Sequence, residues 1–336
     1  MKKLGLFFAL IFVCVFFLKA QDIHFSQFYA SPLSLNPANT GLFAGNWRIS
    51  NNYRTQWSAL GYPFKTISFG VDKPFRIKPD RYIGLGLFVV NDNSGAVGLN
   101  VNKVYANIAY NFKFDNIHTI SAGAQFGYVV KNFKLDGITF PSQFNDQTGY
   151  FDPNLPNNLD NWTQNINYTD FNIGIAYYGK FGKLLPFGGI SLFHITNPKE
   201  SFLRQDNKLP LRIAFNAGTE YKINEKYSLF PELITMYHKR AGNWVLGSRL
   251  FYYFPEKNLM RNAFGGIHTR YSFSNFDALI FSGGLSVYGF DIGISYDVNI
   301  SALRQATKSK GAFELSIIYK DISKSLTKIA LPCDRY

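Results

Sequence analysis

Histidines, cysteines and carboxylates are the residues through which a chain of this kind would do chemistry, and their spacing builds no reaction centre. The five histidines are His24, His118, His194, His238 and His268. None forms an H-E-x-x-H or comparable ligand pair. His194 and His268 fall within expected strands, where a polar interior position is their ordinary role. The serine-containing run SGGLS at 282–286 lacks the G-x-S-x-G elbow of a nucleophilic serine. Asp291 and Asp297 share one face of an expected strand. Six residues at strand rise separate them by about 20 Å, too far for the carboxylate pair of a glycosidase. Asp136, Asp146, Asp152 and Asp160 stud the segment 132–167 without the spacing of a compact calcium loop. Cys14 lies in an apolar run after Val13, not after the small residue a lipoprotein cut requires. Cys333 would then be the sole cysteine of the exported chain, which allows neither an internal disulfide nor a cysteine metal site. The expectation is a non-enzyme without metal or cofactor.

The elements that carry these residues are strands. Residues 1–20 read as a signal peptide: Lys2 and Lys3 open it, Leu4 to Leu18 is apolar, and Ala20 precedes the expected cut. The net charge of +13 falls to +10 once Lys2, Lys3 and Lys19 are removed. Charged residues are 17% of the chain and aromatics 18%, which excludes a largely disordered chain and favours sheet. No later stretch is long and apolar enough for a spanning helix. What remains is an exported β protein, either a sandwich or an outer-membrane barrel.

Strict alternation marks the strands. Phe290, Ile292, Ile294, Tyr296, Val298 and Ile300 alternate with Asp291, Gly293, Ser295, Asp297 and Asn299. Similar patterns occur around 120–128, 171–178, 211–218 and 313–320. Fourteen strands are expected, at 47–56, 65–73, 82–90, 99–112, 117–131, 168–179, 186–195, 210–223, 227–237, 243–254, 261–271, 277–287, 290–298 and 311–320. An even count of strands, many near 9–11 residues long, suits a bacterial barrel. Its longest connections, 132–167, 196–209 and 299–310, all fall in the same alternate class. Barrels keep long loops outside the cell and short turns in the periplasm; a sandwich has no reason to sort its loops. The fold class expected is therefore all-β: a transmembrane outer-membrane barrel of about 14 antiparallel strands with an N-terminal plug-like segment. The aromatic face would meet outer-membrane lipid, and Asp291, Gly293, Ser295 and Asp297 would face the lumen.

The chain divides into a signal peptide at 1–20, a plug-like segment at 21–46, a barrel at 47–320 and a periplasmic tail at 321–336. The second segment holds Phe25, Phe28, Tyr29, Leu33, Leu35, Leu42 and Phe43, too apolar a set to stay in water. It would either fill the lumen or dock a partner. Asn36-Pro37 and Gly41 supply turn chemistry. Basic residues beside expected turns, including Lys73, Arg76, Lys78, Arg81, Lys113, Lys180 and Lys183, would reach lipid headgroups. They form no clustered face for nucleic acid.

Residues 21–41 read QDIHFSQFYASPLSLNPANTG, and 47–75 read WRISNNYRTQWSALGYPFKTISFGVDKPF. Residues 289–320 read GFDIGISYDVNISALRQATKSKGAFELSIIYK. This chain resembles the PorP/SprF family of the type IX secretion system in Bacteroidota over essentially its whole exported length. The specific residues are Phe25, Gln27, Phe28, Tyr29, Asn36, Pro37, Ala38 and Gly41, then Tyr53, Arg54, Gln56 and Trp57, and later Ser295, Tyr296 and Asp297. Position 23 departs from the pattern, with Ile where the family more often has Pro. The resemblance implies an outer-membrane barrel that anchors a secreted adhesin with a type B C-terminal signal, gliding adhesins included, or aids its surface delivery. It also implies links to a periplasmic ring and to peptidoglycan-anchoring lipoproteins. A transport barrel for a small solute remains the alternative.

Overall fold

The computed structural model describes residues 24–95, 98–115, 117–133, 140–152, 154–156, 162–203, 205–239, 241–255, 259–272 and 275–321. The expected signal peptide, and the expected tail beyond Asp321, lie outside the described residues. Fourteen antiparallel strands close into one barrel. In chain order they are β1 (Arg48–Gln56), β2 (Phe64–Lys78), β3 (Arg81–Ser94), β4 (Leu99–Phe114) and β5 (His118–Asn132). A two-stranded hairpin, β6 (Phe144–Asn145) with β7 (Tyr150–Phe151), interrupts the series within a loop. The wall continues with β8 (Asn165–Tyr178), β9 (Leu184–Phe193), β10 (Arg212–Lys222), β11 (Tyr227–His238) and β12 (Ala241–Tyr253). It ends with β13 (Met260–Ser272), β14 (Asn275–Val287), β15 (Phe290–Asn299) and β16 (Lys310–Lys320). Each expected strand is present. Closure joins β16 to β1, with Lys320 opposite Arg48 and Ala312 opposite Gln56.

The alternation has the expected sense. Ile292, Ile294 and Tyr296 are exposed outward, while Ser295, Asp297 and Asn299 are buried inside. An outward apolar face suits a hydrocarbon solvent, and closure leaves no unpaired strand edge there. The largest boundary difference is in β2 and β3, which run on to Lys78 and start again at Arg81. Pro74 lies inside β2, at a position without a β1 partner, where a missing donor costs no ladder bond.

Both ends of the wall meet at one rim. Asp321 N–H donates to the Trp47 carbonyl at 3.0 Å, and Asn46 N–H to the Asp321 carbonyl at 2.8 Å. The turns at that rim are short: 79–80, 115–117, 179–183, 223–226, 254–259 and 288–289. The opposite rim carries the long connections 133–164, 194–211 and 300–309. Long loops face outward in such barrels, so the rim with the termini faces the periplasm. The bases of two outer loops pack together, with Phe133 edge-on to both Trp162 and Phe202.

Candidate functional site

Residues 24–46 occupy the lumen. They pass from the outer half, at His24 to Gln27, to the periplasmic half, at Asn36 to Gly41. A 3-10 turn (Phe28–Ala30), a short helical turn (Pro32–Leu35) and a second 3-10 turn (Pro37–Asn39) shape the segment. Phe25, Phe28, Tyr29, Leu33, Leu42 and Phe43 are all buried. Each fully buried side chain of this size contributes about 1.5–3 kcal/mol.

The outer anchor is ionic. The Glu314 carboxylate accepts the backbone N–H groups of Ser26 and Gln27 at 2.7 and 2.8 Å, and also pairs with Arg54. Asp297 accepts from the Ser26 hydroxyl at 2.7 Å and from Arg270 at 2.9 Å, with Arg54 at 3.3 Å. Arg270 also reaches Asp277 at 2.6 Å. Ser316 donates to the Gln27 side chain at 2.9 Å. Two buried carboxylates thus face two buried guanidinium groups, and backbone donors of the plug add two bonds to Glu314, while Asp297 makes its bonds through Oδ2 and its buried Oδ1 has no hydrogen-bond partner among the described residues. Buried charges require such pairing.

Lower in the lumen, Arg249 lies 3.6 Å above the Tyr29 ring and binds Glu232 through two hydrogen bonds of 2.7 and 2.8 Å. His268 contacts the same carboxylate at 2.8 Å. Burial pushes the Tyr29 phenol above its ordinary range, against the opposing pull of Arg249. On the opposite wall Asp170 meets His194 at 3.0 Å and accepts from the Tyr105 hydroxyl at 2.9 Å.

The periplasmic anchor uses turns. The Asn36 side-chain Oδ1 accepts from Ala38 N–H at 2.9 Å, and its Nδ2 donates to the Ile175 carbonyl at 2.9 Å. Gly41, with φ of +70°, directs its N–H to Asp72 at 2.7 Å. Arg48 grips Asp72 at 2.9 and 2.8 Å, donates to the Asn39 carbonyl at 3.0 Å and covers the Phe43 ring at 4.7 Å. The wall beneath is glycine because no side chain fits. A Cβ on Gly123 would strike the Pro37 carbonyl, and one on Gly174 would strike the Asn36 side chain.

Most of the residues singled out from sequence converge here. Phe25, Gln27, Phe28, Tyr29, Asn36, Pro37 and Gly41 form the plug, and Arg54 with Asp297 holds it. Gln56 accepts from Arg54 at 3.2 Å, and Gly293 packs against Gln27. Ser295 is buried on the lumen side, and Asp291 is paired with Lys320 at 2.8 Å. Tyr53 and Trp57 do not join them. The two-residue strand period turns Tyr53 to the face opposite Arg54, and Trp57 sits past β1 against Phe64. Lys113 is not a headgroup-reaching rim residue: it is buried on the lumen side of β4. Sequence reasoning missed Arg48 with Asp72, and Arg249 with Glu232 and His268. The signal available was a charge at an inward strand position, which on a lumen face demands a partner.

Among the described residues, no three His, Cys, Asp or Glu side chains come together to hold a metal ion. The site is built to retain a segment, through packing, caps and closed ion pairs. An outer-membrane β-barrel whose lumen is filled by its own N-terminal segment is the class these features define.

The chain belongs to the family of type IX secretion system membrane proteins PorP/SprF, whose model matches residues 17–319. It is accordingly a membrane protein of that secretion system, resident in the outer membrane and serving with its machinery. No curated protein matches the chain in sequence. Among solved structures, it is similar to the toluene transporter TbuX of Ralstonia pickettii, at 10% identity and a TM-score of 0.51, covering 86% of this chain and 92% of that one. The monoaromatic hydrocarbon channel CymD gives 10% identity and a TM-score of 0.52, with 86% and 92% covered. A FadL homologue of Pseudomonas aeruginosa gives 10% identity and a TM-score of 0.51, with 88% and 94% covered. At such identity the likeness is one of fold.

Proposed function

We propose that this barrel is a plugged platform: it anchors a secreted adhesin with a type B C-terminal signal at the cell surface, or aids its delivery. Its periplasmic rim engages the ring and peptidoglycan-anchoring lipoproteins of the machinery. The observation that supports holding over conducting is the filled lumen. A cavity of about 70 Å³ lies between the plug and β12–β16, beside Tyr29, Arg249 and Lys320. Others measure about 20–40 Å³. These have room for a few waters, whereas solute sites run to about 300–1,000 Å³. The outer rim presents Phe144, Tyr150, Phe151 and Trp162 to solvent, and an adhesin would rest on that aromatic surface.

The test replaces Gln143–Asp152 with a Gly/Ser linker of equal length. The barrel should insert normally while the adhesin is lost from the surface. Normal surface adhesin would overturn the proposal, as would solute-selective conductance by the purified wild-type barrel.

A further inference from the structure

At the periplasmic rim, five strand interfaces are bonded down to their turns or to the chain entering β1, and the interface of β1 with β2 is not. Lys113 N–H bonds the Asp80 carbonyl, Lys222 N–H the Lys183 carbonyl and Tyr253 N–H the Lys226 carbonyl, so these interfaces run down to their turns. The wall between β16 and β15 closes at the Gly289 carbonyl, and that between β16 and β1 at Trp47. The interface of β1 with β2 stops at Arg48 opposite Asp72, because the chain before Trp47 turns into the lumen. Six residues of β2, Lys73–Lys78, continue beyond it, paired with β3 on one side only. Among the described residues no backbone group bonds their other edge. Gly41 lies over Pro74 from the lumen side and does not cover that edge.

An uncovered edge is a template for another strand. Pro74 and the register shift between Arg76 and Lys78 limit it to a short stretch, as natural edges are limited. Phe75 and Ile77 are 46% and 54% exposed. Lys73, Arg76, Lys78 and Arg81 surround them, with Asp80 as the one acid of residues 73–91, itself held by Arg81 at 3.2 Å. The chain's own tail is a poor match in charge: residues 322–336 carry Lys324, Lys328 and Arg335 against Asp334.

We infer that the Lys73–Lys78 edge binds an extended, acidic segment of a periplasmic protein of the secretion machinery by strand addition. This rests on the reading that the periplasmic rim engages the ring, and it assigns that contact to one hairpin. Main-chain bonds would supply the grip. Phe75 and Ile77 would pack alternate side chains, and the four cations would select carboxylates.

The experiment measures amide hydrogen exchange of the full barrel in phosphatidylglycerol vesicles, with and without the purified periplasmic ring. Bound ring should slow the amides of 73–78 by about tenfold or more and leave the 179–183 turn unchanged. Protection should fall at about 0.5 M salt. It should also be lost in the triple variant Lys73→Glu, Arg76→Glu, Lys78→Glu, but kept in Lys180→Glu, Lys183→Glu. A ring that binds while 73–78 stays unprotected overturns this inference and leaves ring engagement standing. Protection already complete in vesicles without ring assigns the edge to lipid headgroups, and protection abolished by deleting 322–336 assigns it to the tail; either overturns it. A ring that does not bind the wild-type barrel overturns ring engagement itself and this inference with it.

Discussion

Gly123→Val should unseat the plug without damaging the wall. The substitution suits a strand, because valine has higher β propensity than glycine. Its Cβ would nevertheless overlap backbone atoms of Pro37 and Ala38. The turn must retreat, and three hydrogen bonds depend on its position: Ser121 to the Ala38 carbonyl at 2.5 Å, Asn36 to the Ile175 carbonyl, and the Asn36 cap of Ala38. Three such bonds are worth about 3 kcal/mol together at the usual net value. Overpacking adds about 1–3 kcal/mol. A shift of about 4 kcal/mol lowers the seated-to-unseated ratio by about a thousandfold. The control is Gly265→Val, at an outward position where a Cβ meets open space. The assay is the labelling rate of Ala30→Cys, a position 2% exposed, by a water-soluble maleimide in a Cys333→Ser background. Gly123→Val should speed labelling by orders of magnitude and Gly265→Val should not. Equal rates in the two, both slow, would refute the claim that glycine is required for the plug to seat.

Three further outcomes are expected. Ile294→Arg places a charge on the lipid face and should cost about 2–4 kcal/mol near the bilayer midplane, read as a lower denaturant midpoint in vesicle refolding; Ser295→Thr, inside, should cost far less. Gly293 is not an interchangeable control, because a Cβ there would press on Gln27. Glu314→Ala leaves Arg54 without its nearest carboxylate and strips acceptors from Ser26 and Gln27; loss of a buried partner costs about 3–5 kcal/mol, measurable in the same refolding assay. A protease site inserted after Asn154 should be cut in intact cells, and cutting only after breach of the outer membrane would reverse the assigned topology.

The wall was legible because lipid on one side and a packed lumen on the other impose a period of two on every strand. Phe290 to Ile300 shows this residue by residue. The plug was legible from apolar density: Phe25 to Phe43 could not remain in water between an export signal and the first strand. The partners of the lumen charges were not legible. Alternation puts Arg249 and His268 inside, but only barrel register brings both to Glu232. Gly123 and Gly174 read as part of a polar face, and only the docked backbone shows that they are the bed of the plug. The true length of β2 was hidden by Pro74, which breaks a strand in the middle of a sheet and not at an open edge.

The plug also bears on how the barrel can move. Ser26 and Gln27 bind Glu314 across 288 and 287 residues of sequence. Arg54 donates to the Ser26 hydroxyl at 2.8 Å, and Asn52 to the Ala30 carbonyl at 3.2 Å. One segment therefore fastens β1 and β16 together from inside, at the seam where the wall closes. It can do so only after β16 has formed, so the plug seats on a finished cylinder. Parting that seam sideways would break the nine β1–β16 residue pairs and expose Arg54, Asp297 and Glu314 to hydrocarbon, where unpaired charge is most costly. A barrel locked this way has no favourable lateral exit through its β1–β16 seam.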